Sequence, residues 1–120
     1  MRGAIDDLLI KKKLIVLDFK TRGYPLKDDT HEHYQDQLDI YNLLFRKNGY
    51  ETEDYSYLAF YYPTSMDDAG KAVFKAELKK MKTDPENAEK LFKMAIKTLE
   101  GPIPKGSKDC GFCRWAGEYP

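Results

Sequence analysis

At 120 residues the chain has room for one modest hydrophobic core, so a single domain over residues 1–120 is expected, with 101–120 as a cysteine-bearing tail. Twenty basic and twenty acidic side chains cancel, which excludes a broadly basic nucleic-acid binder and confines any such surface to a local face. No apolar run approaches the roughly 20 residues of a membrane span, the first residues hold no signal-peptide core, and the two cysteines are three apart; the reading is a soluble, cytoplasmic protein with no membrane partner.

Gly3 to Ile10 carries Ile5, Leu8, Leu9 and Ile10 around Asp6 and Asp7, and Lys11-Lys12-Lys13 separates it from Leu14 to Thr21. Two apolar runs joined by a short charged link predict a β-hairpin, with the lysines as a solvated turn or a phosphate-contacting tip. Leu14-Ile15-Val16-Leu17 reads as a strand buried on both faces. Alternation then puts Asp18 and Lys20 on one face and Phe19 on the other. In the hairpin, Asp6 can lie across from Asp18. A carboxylate and an ammonium leaving a buried strand side by side are either an ion pair at a strand end or the start of a functional site.

Thr21 to Asp29, with Gly23 and Pro25, reads as a loop, and Thr30 as the N-cap of a helix over about 31–47. Tyr34, Leu38, Tyr41 and Phe45 recur at helical spacing, Asn48-Gly49 supplies the stop, and Gln37 lies one turn from Tyr41 on the same side. His31 and His33, two apart, point in different directions and are expected to face solvent. Tyr55 to Tyr62 predicts an aromatic strand ending at Pro63, either packed under helices or stacking bases, followed by a loop over Thr64 to Gly70. Ala72 to Thr83 is helical by propensity but alternates like a half-exposed strand. Asp84-Pro85 opens a second helix over about 85–100, with an apolar stripe at Ala88, Leu91, Phe92, Ala95, Ile96 and Leu99 and a stop at Gly101-Pro102. A proline- and glycine-bearing connector leads to Cys110-Gly111-Phe112-Cys113-Arg114-Trp115. The Cys-x-x-Cys spacing suits a metal or redox role better than a structural disulfide, and Phe112 and Trp115 could instead anchor the tail by burial.

In order, Gly3-Ala4-Ile5-Asp6, Leu17-Asp18-Phe19-Lys20-Thr21 and Gln37-Leu38-Asp39-Ile40-Tyr41, followed by the C-terminal cysteines, resemble the PD-(D/E)XK nucleases. The resemblance is greatest to the RecB-type branch, which includes CRISPR-adaptation nucleases and AddB-type helicase–nuclease subunits, and it runs over nearly the whole chain. It implies an α/β (α+β) fold, a restriction-endonuclease-like core of a small mixed β-sheet flanked by helices, and it makes Ala72 to Thr83 a strand. It also implies a hydrolase of the DNA-repair or CRISPR-associated kind that cuts phosphodiester bonds in DNA, at single strands or ends, using Mg2+ or Mn2+. Asp6, Asp18 and the Phe19 backbone carbonyl would hold the metal, Lys20 would orient or deprotonate water or stabilise the phosphate, and Gln37 and Tyr41 would position the strand. Relatives in that branch usually carry an upstream helix with a histidine or glutamate and a larger cysteine set, so this chain looks like such a core without the N-terminal portion. A catalytically weak or inactive module that binds nucleic acid or a partner protein is the alternative, and a second copy or partner chain completing the site is another. In the family such cysteines hold an iron–sulfur cluster with four thiolates. With Cys110 and Cys113 alone, a complete cluster is not expected within one chain, which leaves a second metal site shared between chains, or free thiols.

Overall fold

The computed structural model describes residues 1–118. The chain divides into two compact units, one up to Lys90 and one from Leu91 onward. In order along the chain lie β1 (Asp7–Ile10), β2 (Leu14–Thr21), a 3-10 turn (Thr30–Tyr34), α1 (Gln35–Lys47), β3 (Tyr55–Met66), β4 (Ala72–Lys82), α2 (Pro85–Glu100) and α3 (Gly111–Glu118). The four strands form one sheet in the order β1-β2-β3-β4. β1 pairs with β2 antiparallel, β2 with β3 parallel, and β3 with β4 antiparallel. This is the expected α+β architecture, a small mixed sheet with helices, as in restriction-endonuclease-like cores. Parallel pairing of β2 and β3 requires a crossover, and α1 lies in it.

The core of the first unit is built by strand alternation. Val16 of β2, Leu58, Phe60 and Tyr62 of β3, and Met81 of β4 cluster with Leu38 of α1, and Tyr34, Tyr41 and Phe45 pack against them. Full burial of each large aliphatic or aromatic side chain here contributes about 1.5–3 kcal/mol. Asn42, also fully buried, donates to Leu38 O and to Ser56 Oγ, both at 2.9 Å, which pins α1 to β3. At the end of α1, Gly49 takes a φ of +86°. The amides of Gly49 and Tyr50 return to Arg46 O and Phe45 O, and the Phe45 and Tyr50 rings meet edge to face. That is a Schellman ending with its hydrophobic contact, and it satisfies two of the last helix carbonyls.

Several expectations need correction. Thr30 does not cap a helix in front of it; its Oγ1 accepts from Lys27 N at 2.9 Å, so the buried hydroxyl fastens the preceding loop instead. The first helical residues therefore form a 3-10 turn, and α1 begins at Gln35. β1 starts at Asp7 rather than Gly3. β3 does not stop at Pro63 but runs to Met66, with a register shift between Pro63 and Ser65. Its pairing with β2 ends at Tyr61, so no neighbour on that side needs the amide that proline lacks. The turn to β4 is correspondingly short: Asp67 Oδ1 accepts from Ala69 N and Lys71 N around Gly70, whose φ is +81°.

α2 begins as expected, Asp84 Oδ1 accepting from the amides of Glu86 and Asn87. Of its apolar stripe, however, only Ala88 is buried; Leu91 is half-buried, and Phe92, Ile96 and Leu99 are exposed. In the second unit, Phe112 and Trp115 lie on α3 at 87% and 65% exposure, so they do not anchor the tail by burial.

Candidate active site

β2 carries the centre of the site. Its alternation sends Val16, Asp18 and Lys20 toward α1, while the hydrophobic run before them keeps the strand inside the sheet. Asp18 is 2% exposed, and the Lys20 ammonium stands 2.5 Å from its Oδ2. The same ammonium donates to Gln37 Oε1 at 2.9 Å, and Gln37 Nε2 donates to the Tyr41 hydroxyl at 2.8 Å. Asp18, Lys20, Gln37 and Tyr41 thus form one continuous polar line from β2 to α1. The two α1 residues meet because they are one helical turn apart.

Asp6 reaches the same strand from the other side. The β1–β2 register pairs Asp7 with Leu17, so continued by one residue it sets Asp6 opposite Asp18. Asp6 Oδ2 accepts from the Phe19 backbone amide at 2.8 Å. In an extended strand the N–H and C=O of one residue project to the same edge. The Phe19 carbonyl is therefore directed to the β1 edge, beyond the end of the backbone ladder, where Asp6 lies.

The donor set suits a hard divalent cation. Asp18 Oδ2 is buried and, apart from the Lys20 ammonium beside it, accepts no well-directed hydrogen bond from the described residues. A buried carboxylate oxygen in that state retains a lone pair for a cation, and carboxylate and carbonyl oxygens are what magnesium and manganese prefer. Two carboxylates are the whole of the acidic supply here: among the described residues, no group of three or more His, Cys, Asp or Glu could hold a metal ion. Magnesium, which keeps several waters and is commonly held by one or two carboxylates, tolerates so small a set.

Two contributors escaped the motif reading. Tyr34 presents its ring 4.6 Å from the Lys20 ammonium, a cation–π contact that steadies the lysine beside its bond to Gln37. Its position, three before Gln37 and seven before Tyr41, was a usable signal, since those spacings share a helix face. Asp39, 1% exposed, accepts from Gln35 Nε2 at 2.7 Å, Asp84 N at 2.8 Å and Asn87 Nδ2 at 2.9 Å. It locks α1 to the β4–α2 junction and so fixes the helix that carries Gln37 and Tyr41. Nothing in its surroundings in sequence distinguishes it from a solvated acid. His31 is half-buried and His33 exposed, both in the 3-10 turn.

Cys110 immediately precedes α3 and Cys113 lies in its first turn, in the second unit. Cys113 N donates to Cys110 Sγ at 3.3 Å, and Gly106 approaches so closely that a Cβ there would sit 3.0 Å from Cys113 Cβ. The hydrogen bonds from the Cys113 thiol and backbone amide hold the Cys110 thiol below its usual pKa, and the same thiol contact pushes Cys113 up.

Comparison with curated proteins and comparison with solved structures each return no match. The family model of the PD-(D/E)XK nuclease superfamily matches residues 1–117. That span takes in Asp6, the Asp18–Lys20 pair and the Gln37–Tyr41 helix, as well as the four-stranded sheet that holds them. Members of that superfamily are nucleases that generally use divalent metals, and this chain belongs to it.

Proposed function

We propose that this chain is a Mg2+- or Mn2+-dependent deoxyribonuclease of the RecB-type branch that hydrolyses phosphodiester bonds at single strands or ends. Residues 1–120 would act as one nuclease-like core with residues 101–120 as its tail. The observation that carries the reading is the unbroken line Asp18–Lys20–Gln37–Tyr41, with Asp6 bonded to the Phe19 amide at the head of it. Residues from β2, α1 and the segment before β1 would not converge this way in a module whose acids were merely solvated.

In this reading Asp6, Asp18 and the Phe19 carbonyl hold the cation. When bound, it supplies a Lewis acid and an acidified water. Lys20, held between Asp18 and Gln37, places a positive charge where charge develops on the phosphate and would orient the attacking water or donate a proton to the departing oxygen. Gln37 fixes the ammonium by accepting from it. The Tyr41 hydroxyl, which accepts from Gln37, retains its own O–H to donate to a phosphate oxygen of the strand.

The alternative, a module that binds nucleic acid but cuts weakly, draws on the Lys20 ammonium lying directly on Asp18, where it competes with any cation for the buried oxygen. Incubating end-labelled single-stranded and duplex DNA with the protein, with Mg2+, Mn2+ or chelator, separates the two. Metal-dependent products that disappear in Asp18→Asn support the nuclease; binding without products, or equal products from Asp18→Asn, favours the module.

A further inference from the structure

Beside the polar line lies a small cavity that the proposed chemistry does not use. It measures about 210 Å³ and is lined by Gly3, Ile5, Tyr41, Leu44, Phe45, Asn48 and Tyr50. Two of its walls are continuous with the candidate site. The Tyr41 ring forms one wall while its hydroxyl accepts from Gln37, and Ile5 immediately precedes Asp6. Gly3 lies so near the Tyr41 ring that a Cβ there would be 3.0 Å from Cε1, so glycine permits the approach. Phe45 and Tyr50 supply two further aromatic rings, set edge to face at 5.9 Å.

We propose that this cavity holds one unpaired nucleobase of the strand whose phosphate lies at the Asp18–Lys20–Gln37–Tyr41 line. The inference rests on the nuclease reading and adds to it a base-binding subsite, which gives the preference for single strands and ends a physical cause: the strand must have a base free to leave its stack. The cavity is smaller than the roughly 300–1,000 Å³ of sites for drug-sized ligands, which suits a single flat ring system rather than a whole nucleotide. Its aromatic lining offers base stacking, which is tolerant of sequence because every base has a π-face. Asn48 Nδ2 donates to Leu44 O at 2.7 Å, which leaves its second N–H and its amide oxygen for the polar edge of a base. Tyr41 joins the two functions, its ring facing the base and its hydroxyl the phosphate. A paired base cannot enter without unpairing, so the cavity selects single strands and frayed ends over intact duplex.

The test uses a 12-residue single-stranded deoxyoligonucleotide, with Ca2+ in place of the cleaving metals. 2-Aminopurine is placed at each position in turn, and binding is followed by anisotropy. Fluorescence is expected to fall several-fold at one position, and an abasic residue there to weaken binding by about 5- to 30-fold. Tyr50→Leu, which keeps an apolar contact with Phe45, should weaken binding of the intact strand by a similar factor and that of the abasic strand little further. The abasic scan with the unaltered protein stands without any variant. A matched ribo-oligonucleotide identifies the sugar, and the same pattern with either sugar supports the pocket. Binding without a quenched position or abasic sensitivity overturns the pocket and leaves the nuclease reading standing. No binding of any strand overturns both. Free dAMP bound as tightly as the oligonucleotide would mark a nucleotide site unconnected to a strand, and would also overturn the proposal.

Discussion

Replacing Asp39 tests how α1 is held in place. Asp39→Ala removes the acceptor shared by Gln35 Nε2, Asp84 N and Asn87 Nδ2. The three donors do not suffer equally. Gln35 keeps its bond to Lys82 O at 2.8 Å, and Asn87 keeps a longer one to Asp36 at 3.2 Å, whereas the Asp84 amide loses the partner that ends its exposure to an unsatisfied state. An unsatisfied buried donor costs about 1–3 kcal/mol. One full loss and two partial ones put the expected destabilisation at about 3 kcal/mol. For a unit of this size that is a fall in Tm of about 12–24 °C. Asp39→Asn keeps an acceptor for Gln35 and Asp84 but turns an amide toward the Asn87 amide, and should cost about 1 kcal/mol. Urea and thermal unfolding followed by far-ultraviolet circular dichroism give both numbers. A cost for Asp39→Ala below 0.5 kcal/mol, about the scatter of neutral surface changes, would refute the reasoning, as would Asn proving worse than Ala.

Four further outcomes are expected. Lys20→Met strands the buried Asp18 carboxylate and should destabilise the metal-free protein by about 3 kcal/mol, part of which Mn2+ restores; thermal unfolding with and without Mn2+ measures it, and unchanged stability would contradict it. Tyr41→Phe retains the packed ring and loses only the hydroxyl, so it should slow cleavage less than Asp18→Asn in the same assay. Gly3→Ala forces its new methyl against the Tyr41 ring, 3.0 Å away, and should reduce cleavage with little change in Tm; full activity would mean the ring can shift freely. Because the Cys113 contact lowers the Cys110 pKa and raises that of Cys113, Cys110 holds the larger thiolate fraction near neutral pH, and iodoacetamide should label it first by mass spectrometry. Preferential labelling of the more exposed Cys113 would show that access, not ionisation, decides.

The parts of the fold governed by short-range rules were legible in the sequence. Alternation placed Asp18 and Lys20 on one face of β2, and helical spacing placed Gln37 beside Tyr41, whose groups lie 2.8 Å apart. Asn48-Gly49 ended α1 because only glycine takes the left-handed φ readily. β4 was ambiguous by itself, its alanine, lysine and glutamate favouring helix; pairing along β3 decides it, with Tyr62 Oη donating to Glu77 and Lys79 bridging to the same carboxylate. What could not be read was what covers what. Periodicity shows that Phe92, Ile96 and Leu99 share a face of α2, but not whether another surface meets them. Nor could composition reveal that Thr30 would serve the loop behind it, or that Asp39 would be buried among amides from α1, the β4–α2 junction and α2. Thr30 turns on a bond only three residues long whose direction spacing does not specify, whereas the bonds of Asp39 to Asp84 and Asn87 reach 45 and 48 residues along the chain.

The central claim is that Asp6, Asp18 and the Phe19 carbonyl hold one catalytic cation beside Lys20. A crystal structure with Mn2+, read by its anomalous scattering, tests it most directly. A single strong peak bonded to oxygens of those three residues is expected, absent from Asp18→Asn under the same conditions. A peak elsewhere in the chain, a peak unchanged in Asp18→Asn, or none at saturating Mn2+ with Lys20 still seated on Asp18 would contradict it.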